Sequence, residues 1–371
     1  MRVLHINCNY TGTTLHQLMV ENLDKLGFDN NVFVPMYDKR LSTIETNDNV
    51  FVCECFRKWD RLIFDYKQWK IRKALEKHYD VKSYDLIHAY TLFTDGNCAR
   101  KISKKYGVPY VVAVRNTDVN DFFRLMPHLR KRGVKIMLDA ASIFFLSEAY
   151  RKQVFEKYVP LKYHEELKKK THIIPNGIDD FWFDNQPMSE NKLDNTVKLV
   201  YAGRIDRNKN IETTQKAMEM LKSRGINTSL TVVGKVVDEK VYSKIKDNPQ
   251  TECVPAKPKG ELLEIYRKHN IFVMPSFTES FGLVYAEAMS QGLPVIYSQG
   301  QGFDNQFPEG EVGYHVSAYE IKSVADGIEK VIRNFEGIAS RTVPSAKIFN
   351  WNDITVRYGE IYKSILEETG D

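Results

Sequence analysis

The sequence of 371 residues contains no long hydrophobic run. No apolar stretch approaches the ~20 residues that a bilayer-spanning helix needs, and the first residues turn polar too soon for a signal peptide. Cysteine is scarce, and the spacing of the five cysteines fits neither a disulfide framework nor a zinc ligand set. These absences predict a cytoplasmic protein.

Other absences narrow the class of protein. A Gly-x-Gly-x-x-Gly turn after a strand is missing, which argues against a nicotinamide-dependent dehydrogenase. Hydrophobic residues make up 43% and charged residues 27% of the chain, so neither a disordered chain nor a coiled coil is expected. At about 150 residues per domain, the length predicts two domains, with three as the alternative.

Positive charge is unevenly distributed along the chain. Lys and Arg number 53 against 48 Asp and Glu, a net charge of +5. Residues 1–180 carry 30 basic and 22 acidic side chains, whereas residues 181–371 carry 23 and 26. We expect different partners for the two halves, but this balance is not typical of a nucleic-acid binder.

Short apolar runs alternate with amphipathic stretches in both halves of the chain. Tyr110–Val114 and Lys198–Ala202 are typical of buried strands. Repeated strand–helix units predict an α/β fold with parallel sheets that helices cover on both faces. The polar segment 184–195 predicts a hinge between a first domain, 1–183, and a second domain, 196–350, with a cleft at the carboxyl ends of the two sheets.

The most informative segment runs from Pro275 to Val295 and contains two glutamates eight positions apart. A buried strand leads into a turn with Glu279, and Gly282 then opens a helix that carries Glu287 in its second turn. The free N–H groups and the dipole of that helix favour a bound phosphate, and the carboxylates can accept hydrogen bonds from sugar hydroxyls. Alternatively, the glutamates are a capping acid and a surface acid of an ordinary helix.

A second segment places two cations near the end of a strand. Arg204 follows a buried strand through Gly203, and Lys209 comes just before the next helix. Two cations at a strand end, with a helix N-terminus in the same domain, suit a diphosphate. Taken alone, these residues also fit a solvated loop.

Together these segments resemble the family-4 retaining glycosyltransferases, which have the GT-B architecture of two Rossmann-like domains facing across a cleft. The resemblance covers nearly the whole chain and is densest in the second half. The tail from Phe349 resembles the last helix of the family, so a helix over about 351–371 is implied to cross back to domain 1–183. The other matching stretches are Leu86-Ile-His-Ala, Ile174-Pro-Asn-Gly-Ile-Asp, Gly203-Arg204 with Lys209, the paired glutamates and Gly292-Leu-Pro-Val-Ile.

The resemblance implies transfer of a sugar, with retention, from a nucleotide-diphosphate sugar to a saccharide or lipid-linked acceptor. UDP is implied rather than GDP, and the product is a surface polysaccharide or glycolipid. No metal or other cofactor is implied, because protein cations neutralise the diphosphate, and the chain contains no Asp-x-Asp motif. The alternatives are a catalytically silent nucleotide-sugar-binding subunit that supports a partner transferase, and a sugar-nucleotide epimerase of the same fold.

The family's functional residues transfer to matching positions. Arg204 and Lys209 are implied to hold the donor diphosphate, and Glu279 to contact the donor sugar. Glu287 is implied to accept hydrogen bonds from the ribose, and the base to lie near the Pro255–Lys259 loop. The other implied donor-binding residues are Gly12, Gly203, Lys257, Ser280, Phe281, Gly282, Leu283 and Val284.

Two departures from the family pattern concern the first domain. The loop after the first strand has only Gly12 where relatives often have paired glycines. Many relatives have a His-Gly-Thr-Asp-like stretch whose His contacts the donor sugar, whereas this chain has Arg115-Asn-Thr-Asp118, which replaces an imidazole by a fixed cation. We expect Arg115 to bind an anionic or carbonyl-bearing sugar or acceptor, or the leaving phosphate, with Asn116 and Asp118 on the acceptor side. The alternative is an arginine held by Asp118 or Asp121.

A basic stretch rich in aromatic residues spans 56–79. Its eight Lys/Arg and three acids are interleaved with Trp59, Phe64, Tyr66 and Trp69. A second basic patch follows at 128–135. This pattern predicts an interfacial helix on anionic lipid at the inner face of the membrane; the alternative is a core-packing helix whose aromatic side chains face inward.

Overall fold

The computed structural model describes residues 1–42, 47–188 and 191–370 of the chain. It contains two compact units, each built around one parallel β-sheet. The first unit comprises Met1–Leu146, Tyr150–Gly177 and Trp351–Asp371, and the second comprises Ser147–Ala149 and Ile178–Asn350.

The first unit has a seven-stranded sheet in the order β3-β2-β1-β4-β5-β6-β7, and all neighbouring strands are parallel. The strands are β1 (Arg2–Ile6), β2 (Asp29–Met36), β3 (Val50–Glu54), β4 (Leu86–Ala89), β5 (Tyr110–Val114), β6 (Ser142–Phe145) and β7 (Thr171–Ile173). The helices between them are α1 (Leu15–Lys25), α2 (Phe64–His78), α3 (Asp95–Tyr106), α4 (Arg130–Asp139), α5 (Glu148–Tyr158) and α6 (His164–Lys169).

The second unit has a six-stranded parallel sheet in the order β10-β9-β8-β11-β12-β13. Its strands are β8 (Val197–Ala202), β9 (Thr228–Val233), β10 (Thr251–Val254), β11 (Ile271–Val273), β12 (Val295–Ser298) and β13 (Gly313–Val316). Its helices are α7 (Phe181–Asp184), α8 (Ile211–Ser223), α9 (Glu239–Ile245), α10 (Lys259–Arg267), α11 (Leu283–Ser290), α12 (Ile321–Arg333) and α13 (Phe335–Ala346). The last helix, α14 (Trp351–Gly370), belongs to the first unit.

The central strands are buried because helices cover both faces of each sheet. All five residues of β5, Tyr-Val-Val-Ala-Val, are buried, as expected for β-branched side chains in a doubly covered parallel strand. In the first unit, one core cluster contains Ile71 of α2 and Ile102 of α3, and another contains Leu23 of α1 and Tyr362 of α14. The predicted α/β fold with two Rossmann-like parallel-sheet domains is confirmed.

The segment 184–195, predicted as a hinge, lies inside the second unit. Residues 189 and 190 of this segment lie outside the described residues. Asn191 donates a hydrogen bond from Nδ2 to the carbonyl oxygen of His269 at 2.9 Å. The chain passes between the units at Gly177–Ile178, and the hinge role of 184–195 stays a prediction.

The basic aromatic stretch 56–79 contains a 3₁₀ turn, Lys58–Leu62, followed by α2. One face of α2 is in the core, since Gln68, Ile71 and Leu75 are buried. The aromatic side chains on its other face do not point inward, because Tyr66 is 45% and Trp69 49% exposed. Within the described ranges, no helix is both long and apolar enough to cross a bilayer.

Candidate functional site

In the second unit, the candidate residues follow the two neighbouring strands β8 and β11. The chain adds β9 and β10 on one side of β8 and then crosses to β11 on the other side. Parallel sheets bind ligands beyond the carboxyl ends of the strands at such a switch point. Arg204 and Lys209 come after β8, and Glu279 comes after β11.

The side chains of Lys209 and Glu279 meet at this edge. Lys209 Nζ lies 2.5 Å from Glu279 Oε2, and the two side chains are 13% and 11% exposed. The other carboxylate oxygen, Oε1, accepts the Ser280 N–H at 3.0 Å. The carboxylate therefore has a fixed orientation, and the ammonium lies beside it.

Two asparagines that the sequence patterns did not single out join the Lys209 loop to the Glu279 loop. Asn208 donates from Nδ2 to Thr278 O at 2.8 Å and accepts the Thr278 N–H at 3.0 Å. Asn210 has a positive φ of 57° and donates to Pro275 O at 3.0 Å. Both are positioning residues, and their only sequence signal is the asparagine content of Asp206-Arg-Asn-Lys-Asn.

The helix after Glu279 begins where the glycine pattern predicts. Gly282 has a φ of 76°, and a Cβ atom there would lie 2.4 Å from the Tyr285 ring, so only glycine fits this turn. Leu283 and Val284 are half-buried in the first turn of α11, where backbone N–H groups have no partner within the helix. Phe281 is buried, and its ring packs edge to face against Phe303 and Phe349.

Arg204 differs from Lys209 in being largely exposed. Its side chain is 65% exposed and lies 3.5 Å from Asp206. The backbone before it is tightly packed, because a Cβ atom on Gly234 would lie 1.7 Å from the carbonyl oxygen of Gly203. The arginine therefore extends from a rigid strand end toward solvent.

Glu287 lies in the second turn of α11, in a different environment from Glu279. Burial raises the pKa of its carboxyl group to about 7, and the negative charge of Asp179 adds to this, whereas the charge of Lys259 opposes it. The group therefore changes its protonation state near neutral pH. Lys257, predicted on the donor side, forms an exposed ion pair with Glu261 at 2.7 Å.

In the first unit, Arg115 directly follows β5. Its Nε donates to Tyr90 O at 3.2 Å and its Nη1 to Asn176 Oδ1 at 3.1 Å. Neither Asp118 nor Asp121 holds the guanidinium. Asp118 instead accepts the backbone N–H of Arg115 at 2.8 Å.

The other candidate residues of the first unit differ in their exposure. Asp118 is fully buried and also accepts the backbone N–H groups of Leu92 and Phe93, and burial raises the pKa of its carboxyl group to about 6. It thus positions the backbone and presents no oxygen to solvent. Asn116 accepts a hydrogen bond from the Tyr150 hydroxyl at 3.2 Å. Gly12 is exposed, and a Cβ atom at this position would meet no neighbouring atom within 4 Å.

One group of three metal-ligand side chains converges within the part of the chain that the structure describes. His315 Nδ1 lies 3.0 Å from Asp304 Oδ1 and 3.2 Å from Glu309 Oε1. Asp304 also accepts the Gly300 N–H at 2.7 Å. Glu309 also accepts the backbone N–H of His315 at 3.2 Å, so both carboxylates have partners from the protein.

Comparison with known proteins matches both halves of the chain. The model of the family described as glycosyl transferases group 1 matches residues 183–342, and that of glycosyltransferase family 4 matches residues 13–180. The capsular polysaccharide biosynthesis glycosyltransferase CapM of Staphylococcus aureus is 30% identical over 169 residues, which are 43% of this chain and 44% of CapM. The chain thus spans less than half the length of this relative.

Other relatives match over a longer part of the chain. The D-inositol 3-phosphate glycosyltransferase of Paenarthrobacter aurescens is 25% identical over 305 residues, which are 76% of this chain and 73% of that protein. Among solved structures, sucrose-phosphate synthase from Thermosynechococcus elongatus superposes with a TM-score of 0.76 at 18% sequence identity. The match covers 99% of this chain and 100% of the synthase chain. HepE of Anabaena, in complex with UDP and glucose, superposes with a TM-score of 0.68 at 16% sequence identity. This match covers 98% of this chain and 100% of the HepE chain.

Proposed function

Because the chain belongs to the group 1 glycosyltransferases of the GT-B type, we propose that it transfers a sugar from UDP-sugar to a saccharide or lipid-linked acceptor. The transfer retains the anomeric configuration and needs no metal ion. The product is part of a surface polysaccharide or glycolipid. The observation that carries the proposal is the Lys209–Glu279 pair at the carboxyl ends of β8 and β11, 2.5 Å apart.

The pair supports donor binding for an electrostatic reason. Lys209 and Arg204 supply two positive charges at one sheet edge, and the N-terminus of α11 adds N–H groups that have no partner within the helix and the positive end of a helix dipole. These groups neutralise the charge that develops on a leaving diphosphate. The oriented carboxylate of Glu279 accepts hydrogen bonds from sugar hydroxyls and stabilises positive charge at the anomeric carbon.

Two kinds of support favour UDP as the donor nucleotide and a polysaccharide as the product. HepE was solved with UDP and with UDP-glucose, and a trehalose-6-phosphate protein of E. coli was solved with UDP-2-fluoro glucose. CapM is named for capsular polysaccharide biosynthesis. These names describe the relatives, and they define which donors and acceptors to test first.

The test is a calorimetric titration of the full chain with UDP, GDP and ADP, and with their glucose esters. We expect UDP to bind, Arg204→Ala to weaken it at least about tenfold, and Arg333→Ala to leave it unchanged. Arg333 is a matched control, since it is 74% exposed and paired with Glu329, much as Arg204 is with Asp206. Binding of none of these nucleotides to folded protein would overturn the proposal.

Turnover distinguishes an active transferase from a silent subunit. With UDP-glucose and an acceptor panel, we expect an α-linked product in the proton NMR spectrum, formed at the same rate with and without a chelator. A β-linked product would contradict retention, and loss of activity with the chelator would contradict metal independence. Tight UDP binding without transfer to any acceptor would instead indicate a silent nucleotide-sugar-binding subunit.

The first unit also presents a surface that supports contact with an anionic membrane. Trp59 is 77%, Leu62 81% and Ile63 63% exposed, and Tyr66 and Trp69 stack with ring centroids 6.0 Å apart. We call these five residues the apolar patch. The ammonium of Lys70 lies 4.6 Å from the centroid of the Tyr66 ring, and apolar side chains with basic neighbours favour the interface of anionic lipids.

The two basic stretches of the sequence meet beside this patch. Arg132, from the 128–135 stretch, forms an ion pair with Asp65 of α2 at 2.6 Å. The guanidinium of Arg132 also lies 5.1 Å from the ring centroid of Phe64. Arg132 therefore joins the second basic stretch to α2.

Vesicle flotation tests the membrane contact. We expect binding to vesicles that contain phosphatidylglycerol but not to pure phosphatidylcholine, and a loss of binding in Leu62→Ser. Leu161→Ser is the control, because Leu161 is 83% exposed outside the apolar patch. Equal behaviour of the two variants, or no binding to anionic vesicles, would contradict this contact.

A further inference from the structure

Arg115 is a half-buried cation with neutral partners. Its guanidinium donates to the carbonyl oxygen of Tyr90 and to the amide oxygen of Asn176. Among the described residues, no carboxylate forms an ion pair with it. The nearby buried acid Asp118 is occupied by three backbone N–H groups. The charge of Arg115 favours its ionised form, but the guanidinium forms no hydrogen bond with it and keeps donor capacity for a ligand.

Two further polar side chains, those of Asn7 and His16, lie next to Tyr90. The Tyr90 N–H donates to Ile6 O at 3.1 Å, so the next residue along, Asn7, lies beside Tyr90 at the end of β1. The ring of His16 contacts the ring of Tyr90 edge to face, with centroids 4.8 Å apart. Arg115, His16 and Asn7 are therefore grouped around one residue; we call these three the Arg115 cluster.

Two atoms of the Arg115 cluster are buried and have no partner within the described ranges. They are Asn7 Nδ2 and His16 Nδ1, on residues that are 0% and 8% exposed. An amide nitrogen can only donate a hydrogen bond, and a buried donor without an acceptor destabilises the unliganded protein. Burial and the charge of Arg115 together lower the pKa of His16 to about 3, which keeps the imidazole neutral.

Asp95, another buried acid near this edge, forms no hydrogen bond with Arg115, Asn7 or His16 among the described residues. Its two oxygens accept hydrogen bonds from the Thr91 hydroxyl at 3.0 Å and the Cys8 N–H at 3.3 Å. The edge therefore combines a fixed planar cation with an unpartnered amide donor. A carboxylate or a phosphate is the chemical group that matches the remaining N–H groups of the guanidinium and a second N–H donor grouped around the same residue.

We propose that the Arg115 cluster binds an anionic substituent, a carboxylate or a phosphate, on the sugar substrate that the first unit recognises. This inference rests on the proposed function and deepens it, because it makes an acidic or phosphorylated sugar, rather than a neutral one, the preferred substrate. The oxyanion is distinct from the donor diphosphate, which Arg204 and Lys209 hold in the second unit. Arg115 and Asn7 are thus specificity-determining residues.

The test compares three probes that share one ring and differ in charge: glucuronate, glucose 6-phosphate and glucose. Each is titrated by saturation-transfer NMR into the full chain saturated with UDP, so that the diphosphate site is blocked. We expect both charged probes to bind at least about tenfold more tightly than glucose. Arg115→Gln should remove this preference while the affinity for UDP stays within about twofold.

Two further variants and a control make the outcome specific. Asn7→Asp replaces the unpartnered amide donor by a carboxylate within the cluster and should abolish the preference without removing Arg115. Arg115→Lys keeps the charge but loses the planar fork, and should keep only part of the preference. Arg124→Gln changes an exposed arginine of the same unit and should behave as the wild type.

Several results would overturn the inference. These are equal affinity for charged and neutral probes, a preference that survives in Arg115→Gln, or a loss of UDP affinity in Arg115→Gln that matches the loss for the charged probes. The last result would show that the anion is the donor diphosphate. If UDP does not bind at all, the proposed function fails. The preference for charged probes is then measured without UDP in the Arg204→Ala variant. A preference that depends on Arg115 in this variant would still support the inference, and its absence would overturn it.

Discussion

Lys209 and Glu279 lie 70 positions apart in the sequence, and their charged atoms are 2.5 Å apart in the structure. Each residue follows a different strand, and the two strands are neighbours in the six-stranded sheet. The pair neutralises two charges that would otherwise be buried singly. It also holds a cation and an oriented carboxylate at the point where a nucleotide sugar is proposed to bind.

The pair should stabilise the second unit measurably. Lys209→Met leaves the carboxylate of Glu279 without its cation, and we expect a loss of about 2–3 kcal/mol in the free energy of unfolding. The double variant Lys209→Met/Glu279→Gln should lose less than the sum of the single variants. Urea denaturation measures both values.

An exposed pair in the same unit is the control for this cycle. Lys198 lies 2.7 Å from Asp194, and these side chains are 44% and 63% exposed. Lys198→Met should cost only about 0–1 kcal/mol, because solvent screens an exposed pair. If the two lysine variants lose the same stability, the Lys209–Glu279 pair is no more than a surface interaction.

Asn208 should matter for activity without touching the substrate. Asn208→Ala removes both hydrogen bonds to the backbone of Thr278, so the loop that carries Glu279 loses its fixed position. We expect kcat/KM to fall about tenfold to a hundredfold, with thermal unfolding changed by only a few degrees. Asn248→Ala is the matched control, since Asn248 also accepts a backbone N–H, that of Gln250, at 2.9 Å; an equal loss in both variants would contradict a positioning role for Asn208.

Gly282 should tolerate no side chain. In Gly282→Ala, the positive φ and the contact with the Tyr285 ring both oppose the new Cβ atom, and we expect a loss of stability of more than about 2 kcal/mol. Gly225→Ala separates the two effects, because Gly225 has a φ of 82° but no atom within 4 Å of such a Cβ. It should cost only about 1–2 kcal/mol. Thermal unfolding of the two variants measures the difference, and equal losses would argue against the steric contact.

Glu287 should make donor affinity depend on pH. Ribose hydroxyls donate to the ionised carboxylate, and burial raises its pKa to about 7, so the affinity for UDP-glucose should rise about tenfold from pH 6 to pH 8. UDP-glucose is the suitable probe because its esterified diphosphate does not titrate in this range. Calorimetry should show that Glu287→Gln removes the dependence; a dependence that persists in this variant belongs to another group.

The same group should affect the stability of the unliganded protein with the opposite sign. A carboxyl group whose pKa rises from 4.5 to about 7 on folding binds more protons in the folded state between these values. The free energy of unfolding should therefore fall as pH rises from about 4.5 to 7. In Glu287→Gln, this part of the fall should be absent from urea denaturation at stepped pH, and an unchanged slope would contradict the assignment.

Much of the fold was predictable because buried central strands have a strong sequence signal. The apolar run Tyr110–Val114 coincides with β5, and Lys198–Ala202 differs from β8 by one residue. The four edge strands, β3, β7, β10 and β13, were not predicted; β3 and β10 illustrate the reason. Their residues are partly exposed, so they lack the continuous apolar run that marks a doubly covered strand.

The candidate site was predictable in its residue types but not in their partners. The positions of Arg204, Lys209 and Glu279 at strand ends followed from the alternation of strands and helices. The sequence left open whether Asp118 or Asp121 holds Arg115, and only the folded backbone decided that Asp118 binds backbone N–H groups instead. Hydrogen bonds of this kind depend on how neighbouring strands and loops approach each other, which no local pattern encodes.

The sequence by itself determined the fold class, the two parallel sheets and the cationic and acidic residues at their carboxyl edges, because these depend on hydrophobic periodicity and on short-range turn chemistry. Only the tertiary structure decided which of those residues meet. Lys209 contacts Glu279 because strand order makes β8 and β11 neighbours, and the aromatic residues of 56–79 divide between core and surface because α2 can bury only one face. Charge pairing and exposure are properties of the packed molecule, since they depend on distances between segments that are far apart in the chain.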